Sequence, residues 1–459
     1  MTLPAEFVRK LSICAVLSGA LASGPAAAQA LTELMRQVLA TEPAVAGAAA
    51  QLRAAQERVT QAAGAFGPTA SINASSADTR YQEAPAFDLR PFRSTQAALQ
   101  ITLPVLRAAL IPAAQGAQSQ QLQAQAALSQ AQAEAVQRLV EAAFEMLKAR
   151  DTLTYVRAQQ VATGEQLALA RRAHQVGTVP LTDVRDAEAK GDAVAAQVIA
   201  AEAELSLRQQ TLATIAGTGS AALLARGLDG RQLPAVPPDS ALGWLADAMT
   251  GSPQIAQAQH AVQVAEAELR KAWLQHAPTA DLTYAYTMSK DTGTVTSSFP
   301  RRGDTSAIGV NVTIPLFSSG VTQSRVRESM ALRDKAQADL ETAQRAVTLA
   351  VRQAFSATLA AIAQARGLEA AVRSQELALR AARRGYEAGT KANADVLDAQ
   401  SKLFDARRDL SRARYDAWNG YIKLKSQSGL LAEGDLAQLD GLLVDAPVPA
   451  LLQPRRPGT

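Results

Sequence analysis

The chain contains one pattern written twice. Glu42-Pro43 returns as Ser252-Pro253 and Gly67-Pro68 as Ala277-Pro278, both 210 residues later. Leu103-Pro104-Val105 and Ala143-Phe144 return at 211 as Ile314-Pro315-Leu316 and Ala354-Phe355. At 212, Arg171-Arg172 returns as Arg383-Arg384, Gly177-Thr178 as Gly389-Thr390, and Ala216-Gly217 as Ser428-Gly429. Asp183-Val184-x-Asp186-Ala187 returns at the same offset as Asp395-Val396-x-Asp398-Ala399. An offset that drifts by only two residues over half a chain marks an internal duplication, so whatever one copy builds, the other must build beside it. The 459 residues divide into a leader (1–30), a first structural repeat (31–217) and a linker (218–242) rich in proline and glycine from Gly227 to Pro238. A second repeat (243–429) and a tail (430–459) follow; the tail, with Pro447, Pro449, Pro454 and Pro457, is expected to be irregular.

Within each copy the hydrophobic period changes in a fixed order. Leu31 to Ala63 reads as helical, with few breakers, until Pro68 stops it because proline lacks the N–H and restricts the residue before it. Thr69 to Ala77 reads as a strand, followed by a polar loop containing Arg80, Glu83, Pro85, Asp88 and Arg93. Leu99, Ile101 and Leu103 then alternate with Ala98, Gln100 and Thr102. In the second copy Leu282, Tyr284, Tyr286 and Met288 alternate with Asp281, Thr283, Ala285 and Thr287, and Ile308, Val310, Val312 and Ile314 with Gly309, Asn311 and Thr313. The two hairpins, near 69–104 and 279–315, have strands of about nine or ten residues, long enough to cross a bilayer at a tilt. Pro112 to Gly177 and Gly320 to Gly389 read as near-continuous helices of ~65 residues, ~100 Å at 1.5 Å per residue. Alanine is abundant and aromatic residues are only 4%, which suits helices packed closely through small side chains.

Helices of that length do not fold back to cover a four-stranded sheet. A sheet in hydrocarbon must close, because an open edge leaves backbone groups unpaired. Single-chain barrels start at about eight strands, so four strands imply a barrel shared between copies. The expected architecture is an α+β membrane protein with a long antiparallel α-helical coiled-coil tunnel. Its four β-strands per chain contribute to a shared, trimeric, twelve-stranded β-barrel. Polar inner faces would hold water.

The remaining composition narrows the function. Arg9 and Lys10 precede an apolar run from Leu11 to Ala22, with small-residue cleavage options after Ala28 or Ala30, which reads as a secretory signal peptide. Beyond it, no segment is expected to reach the ~18 apolar residues of a membrane helix. Lys and Arg number 46 against 42 Asp and Glu, a net charge of +4 that is too thin for a nucleic-acid partner. The three histidines (His174, His260, His276) and the single cysteine, Cys14, offer no plausible ligand set, so neither a metal nor a cofactor is expected. No phosphate-binding Gly-x-x-x-x-Gly-Lys loop and no Gly-x-Ser-x-Gly elbow occurs, and the chain does not read as an enzyme. Energy for any transport must then come from a partner.

The sequence resembles the TolC-type outer-membrane efflux family over about residues 31–430. The resemblance rests on Arg172-x-x-x-x-Gly177-Thr178-x-x-x-Thr182-Asp183-Val184 and on Arg384-Gly385-Tyr386-x-x-Gly389-Thr390-x-x-x-x-Asp395-Val396-Leu397-Asp398-Ala399-Gln400. Pro315-Leu316-Phe317 with Gly320, and Ala413-Arg414-Tyr415, also fit. It implies a homotrimer in outer-membrane lipid with a periplasmic helical tunnel. It also implies a periplasmic adaptor (membrane fusion) protein and an inner-membrane ABC or proton-driven transporter as partners. The missing lipidation cysteine and the run from Gly389 to Gln400 look more like the branch serving type I secretion, with drug efflux as the alternative. A reading of another class is a periplasmic coiled-coil adaptor or scaffold.

In that family the tunnel closes at its periplasmic end. The resemblance makes Asp395 and Asp398 gate carboxylates, and Thr182, Asp183, Tyr386 and Lys391 ties between neighbouring coils; Asp186, a departure from the family pattern, gives the first copy its own Asp-x-x-Asp and is expected as a further gate carboxylate that spreads the charge. It places adaptor docking at the turns Gly177-Thr178 and Gly389-Thr390. Asp395 and Asp398 are spaced i, i+3 and share a helix face, where threefold symmetry would gather carboxylates that raise one another's pKa and attract cations. The alternative is that acids in a first helical turn merely favour the helix dipole. Lys391 stands where the family commonly has arginine, and lysine cannot form a bidentate fork, so a looser closed state is expected.

Overall fold

A computed structural model describes residues 30–80, 91–217, 226–228, 232–237, 240–294 and 297–445; the expected signal peptide lies outside the described residues. The first copy runs α1 (Ala30–Thr41), α2 (Pro43–Gly64), β1 (Thr69–Thr79), β2 (Phe92–Leu106), α3 (Leu110–Gln175) and α4 (Leu181–Ala216). After a short β3 (Arg226–Leu228) the order returns as α5 (Ala241–Gly251), α6 (Pro253–Trp273), β4 (Thr279–Asp291), β5 (Arg301–Thr313), α7 (Val321–Glu387) and α8 (Asn393–Gln427). The chain continues into α9 (Glu433–Leu442) and β6 (Leu443–Asp445). The helical stretch expected over Leu31–Ala63 is built as two helices. Pro43 opens α2 at the first helical position, where its missing N–H costs nothing, and the chain bends at Glu42.

The spines are α3, with 66 residues, and α7, with 67. At 1.5 Å per residue each is ~100 Å long. The shorter α4 and α8 pair with the halves of the spines farthest from the sheet: Leu153 and Val156 meet Val194 and Val198, and Leu379 and Ala382 meet Val396 and Leu403. The halves nearest the sheet are paired by α2 and α6. The sequence reading missed one apolar stretch. An 18-residue window within α7 has a mean hydropathy of 1.4, enough by length and composition for a membrane span. Alanine supplies much of that hydropathy, and Val347, Val351, Ala354, Phe355 and Ile362 of α7 are spent instead on packing with Ala417 and Leu424 of α8.

The four long strands form one antiparallel sheet in the order β1-β2-β4-β5. The two hairpins therefore join through β2 and β4, and β1 and β5 are left as edges. The register sorts side chains cleanly onto two faces. Leu99 lies opposite Tyr286, Ile101 opposite Tyr284 and Leu103 opposite Leu282, while Ile72 pairs with Leu99 and Tyr284 with Ile308. These share an apolar face, on which Ile72, Ile308 and Val310 are each more than 65% exposed. The other face carries Thr69, Ser71 and Asn73, Gln100 and Thr102, Asp281, Thr283 and Thr287, and Thr305, Asn311 and Thr313. An apolar exterior with a polar interior is the pattern of a strand set between lipid and water. All four strands, 11 to 15 residues long, extend beyond the expected nine or ten. Their polar ends are carried by the ladder rather than by hydrophobic alternation.

The bulky core sits midway along the spines. Leu139, Phe144 and Leu147 of α3 pack with Leu31 and Val38 of α1, Leu212 of α4, and Tyr415, Trp418 and Ile422 of α8. The tail corrects the expectation of irregularity. Leu436, Leu439 and Leu442 fall on one side of α9 and enter this core, and β6 pairs with β3 from the linker. Asp440, only 3% exposed, accepts hydrogen bonds from the backbone N–H groups of Leu31 and Thr32 at 2.9 Å and from Thr32 Oγ1 at 2.7 Å. A tail carboxylate thus satisfies the open N-terminus of the first helix. Residues 446–459 lie outside the described residues.

At the end of α8, Gly429 has φ 72°, and a Cβ there would fall 2.2 Å from the Gly251 carbonyl oxygen, backbone that cannot yield. Gly389 has the same φ but open space around it. Gly389→Ala should cost only the ~1–2 kcal/mol of left-handed strain. Gly429→Ala should prevent the native packing of α8 against the α5–α6 junction. Thermal unfolding of the detergent-purified variants checks both; equal stability of the two variants would contradict the close approach.

Candidate functional site

The end of the helical body farthest from the sheet is made by two turns that are copies of each other. In the first, Gly177 (φ 76°) follows α3, and both the N–H of Thr178, at 2.9 Å, and its hydroxyl, at 2.8 Å, donate to the Ala173 carbonyl. In the second, the N–H of Thr390, at 2.8 Å, and its hydroxyl, at 3.0 Å, donate to the Gly385 carbonyl. The Gly-Thr pair is the stop signal in each case: glycine supplies the left-handed residue, and threonine closes the last open carbonyl. A Cβ on Gly177 or Gly389 would meet nothing within 4 Å, so both turn tips project freely.

After the turns, the duplicated aspartates occupy the same position in their helices but do different things. Asp395, three residues past Ala392, accepts the Ala392 N–H at 3.1 Å and so caps α8. Its counterpart Asp183 stands three residues past Pro180, which has no N–H to offer. Among the described residues Asp183 has no side-chain hydrogen bond or ion pair, and it stays half-buried. Asp395 therefore fills the helix-terminus role of the sequence alternatives, as a capping residue that is also exposed.

Asp398 and Asp186 are exposed as well. Asp398 pairs with Lys402 at 2.8 Å. The hydrogen bond from Lys402 holds its carboxyl below the usual carboxylate range, and Lys190 of α4 adds to the effect. A depressed carboxylate contributes stability above its ordinary pKa and loses it as the pH falls through the lowered one; on so exposed a pair the contribution is small. Within one chain, then, Asp398 is held low. Mutual raising requires carboxylates from other copies. Glu188 nearby is also held low, first by Arg171 at 2.9 Å and then by Arg185 at 2.8 Å.

The four expected tie residues do not bond one another within the chain. Thr182 and Lys391 are exposed, and the Lys391 stem lies along Gly385, with its Cγ 3.0 Å from where a Cβ would stand. Tyr386 is half-buried against Leu379, Ala382, Val396 and Leu403. Its ring lines a cleft of about 940 Å³ among α3, α7 and α8, which also takes in Arg380, Arg383, Gln400 and Arg407.

With this geometry in place, the comparisons decide the family. The model of the outer membrane efflux protein family matches the chain twice, over residues 34–218 and 244–430. The chain belongs to that family. It is 30% identical to the outer membrane protein TolC of Vibrio cholerae over 416 residues, spanning 90% of this chain and 93% of that one. It is 27% identical to the alkaline protease secretion protein AprF of Pseudomonas aeruginosa over 68% of this chain and 65% of the relative. Its fold matches the crystal structure of the outer membrane protein VceC of Vibrio cholerae with a TM-score of 0.72 at 20% identity, covering 87% of this chain and 96% of that one. As an outer membrane efflux protein, the chain places its strands in the outer membrane and its helical body in the periplasm. The adaptor or scaffold reading falls with this assignment, since a soluble sheet has no use for an exposed apolar face.

A polar seam that the sequence does not announce joins two of the helices. Antiparallel α3 and α8 are joined by a line of polar contacts: Lys148 with Asp416, Asp151 with Ser411 at 2.7 Å and Tyr415 at 3.2 Å, Gln159 with Ser401 at 3.2 Å, and Gln166 with Asn393. Lys148 is buried and also reaches Glu145 at 2.8 Å. Burial pushes the Tyr415 hydroxyl pKa well up, so it remains a protonated donor to Asp151. The one hint in the sequence was the seven-residue spacing of Gln159 and Gln166 among small neighbours.

Proposed function

We propose that three copies of this chain form the passive, gated outer-membrane exit of a tripartite export system, serving type I protein secretion. The pairing of β2 with β4 carries this reading. By the duplication, β5 is the copy of β2 and β1 the copy of β4. The β5 edge of one copy can therefore repeat, against the β1 edge of the next, the pairing made within the chain. Ile101 faces Tyr284 within the chain; the offsets of 211 and 210 translate this into Val312 facing Ala74 of the next copy. Three copies close twelve strands with their polar faces inward. Ile199 and Leu207 on α4 and Leu349 and Leu377 on α7, each at least 53% exposed in a single chain, are available to neighbouring helices.

At the periplasmic end, Asp395, Asp398 and Asp186 would ring the constriction and favour cations. Asp183, uncapped and unpaired, with Thr182, Tyr386 and Lys391 would tie adjacent coils. The projecting Gly177-Thr178 and Gly389-Thr390 turns would receive a periplasmic adaptor, and an inner-membrane ABC or proton-driven transporter would supply the energy. The name of the relative AprF, a protease secretion protein, favours protein cargo over drugs.

The closure predicts a cross-link. In a Cys14→Ser background, Val312→Cys with Ala74→Cys should oxidise to covalent trimers on denaturing gels, while Val312→Cys with Asn73→Cys, one residue out of register and on the other face, should not. Cross-linking by both pairs alike would reject the register.

Planar-bilayer recording should give a small cation-selective conductance blocked by millimolar divalent ions from the helical side. Asp395→Asn with Asp398→Asn, which retains an acceptor for the Ala392 N–H, should reduce selectivity severalfold without loss of folding. Lys391→Arg should lower opening frequency. Unchanged selectivity in the double variant would remove these residues from the gate.

For the cargo, expression in a host lacking its own exit channel should restore secretion of a protease rather than resistance to drugs. Drug resistance alone would move the assignment to efflux.

A further inference from the structure

The apolar face of the sheet ends, on the side away from the helices, in a group of cations. The register puts Arg93 opposite Asp78, Lys290 opposite Thr95 and Arg302 opposite Lys290. Alternation from Asp78 adds Arg80. Three of the positions share the parity of the apolar residues on their own strand: Ile101 with Arg93, Tyr284 with Lys290, and Val310 with Arg302; Arg80, the residue after β1, continues the alternation of Ile72 and Asp78. These four side chains therefore face lipid rather than the lumen, and all four are exposed. Two carboxylates accompany them on that face, Asp78 and Asp304. Asp78 is occupied by Arg93, with Nε to Oδ1 at 2.7 Å and Nη2 to Oδ2 at 3.1 Å. Arg80, Lys290 and Arg302 have no ion pair among the described residues.

Their height in the membrane can be worked out. Each cation lies six or eight residues along its strand from the middle of the apolar band. At ~3.4 Å per residue and a tilt of about 40°, that is a rise of ~16–21 Å. The hydrocarbon half-thickness is ~15 Å, and the headgroups extend to ~20–22 Å. The cations thus sit at the headgroup level of the outer leaflet. A cavity of about 340 Å³ opens at this end of the strands, lined by Arg80, Arg93 and its partner Asp78 together with Thr79, Pro91, Phe92 and Thr292. A lipid-facing guanidinium at this depth would be costly if it met only acyl chains, and favourable if it met a phosphate.

We propose that Arg80, Arg93, Lys290 and Arg302 form a lipid-facing binding site for the phosphate groups of an outer-leaflet glycolipid. The site rests on the outer-membrane placement of the strands and is independent of the cargo. Phosphate oxygens would accept hydrogen bonds from Arg80 and from the N–H groups of Arg93 not given to Asp78. Lys290 and Arg302, on adjacent strands, would take a second phosphate as neighbouring point charges.

The test uses the purified, full-length protein in detergent, with thermal unfolding followed as lipid is added. The probes are diphosphoryl lipid A, the same lipid with its phosphates removed, phosphatidylethanolamine and inorganic phosphate. Arg80→Gln/Lys290→Gln/Arg302→Gln is compared with wild type and with Arg301→Gln, whose side chain lies on the lumen face opposite Asp291. Trimer retention on gels shows that each variant has folded. Diphosphoryl lipid A should raise the unfolding midpoint of wild type and Arg301→Gln, and the triple variant should need about tenfold more of it or beyond. The other three probes should have little effect. Equal response of the triple variant, or equal response to the phosphate-free lipid, would overturn the site. Inorganic phosphate acting at the same concentrations would make it a simple anion site and overturn the lipid assignment.

Discussion

An antiparallel sheet with one apolar face and two unpaired edges cannot rest in hydrocarbon, because each orphaned N–H or C=O there costs several kcal/mol. In this chain the edges are β1 and β5, and the duplication makes them copies of the two strands that already pair, β4 and β2. Closure by repetition is thus built into one polypeptide, and the geometry of the rest follows. Because α3 starts at β2 and α7 follows β5, a ring of strands obliges the helices to stand in a ring as well. Their length then sets the reach of the body at ~100 Å.

Duplicated sequence does not mean duplicated chemistry. The turns after α3 and α7 are alike down to the threonine hydroxyl, yet one residue separates the aspartates that follow. Pro180 removes the donor that Ala392 supplies, so Asp395 is bound into a helix cap while Asp183 is not. Asp398 has a lysine one turn on, while its counterpart Asp186 meets Lys190 at the same spacing without pairing. The two copies can therefore share a backbone plan and divide the labour of the tip between them.

What the sequence made legible was local or periodic. The Gly-Thr stops, the long helices and the alternating strands each write their signal within a window of ten or so residues, and the hairpins lie where alternation placed them. The tail was not legible. Four prolines dominate its sequence, while Leu436, Leu439 and Leu442 span less than two helical turns, too short a stripe to stand out. The role of Asp440 lies in residues about four hundred positions away. The same holds for the α3–α8 seam, since a glutamine on an alanine-rich helix looks solvent-facing until Asn393 or Ser401 is set beside it. At the candidate gate, the i, i+3 spacing that puts Asp395 and Asp398 on one helix face could be read, while their role came only from the resemblance. Which aspartate caps and which stays open depended on a single proline, and the ties between copies depend on symmetry no single sequence states.

The cohesion between α3 and α8 is graded along their length. Midway it is bulky and dry: Leu139, Phe144 and Leu147 against Tyr415, Trp418 and Ile422, whose removal from water amounts to roughly 1.5–3 kcal/mol per large side chain. Toward the tip the apolar contact shrinks to Ala170, Val184 and Ala187 around Leu397. Hydrogen bonds take over there, each of net worth ~0.5–1.5 kcal/mol because water can replace the lost partner. The Nδ2 of Asn393 and the Nε2 of Gln400 are buried at this end without partners, which lowers the cohesion further. Against α3, then, α8 is fixed most firmly in its C-terminal third, around Tyr415 to Ile422, and least at its first turns, where α7 holds it instead through Val396 and Leu403. The hold that α3 keeps on α8 near the tip is thus the part that water can replace, while the hold of α7 there stays apolar.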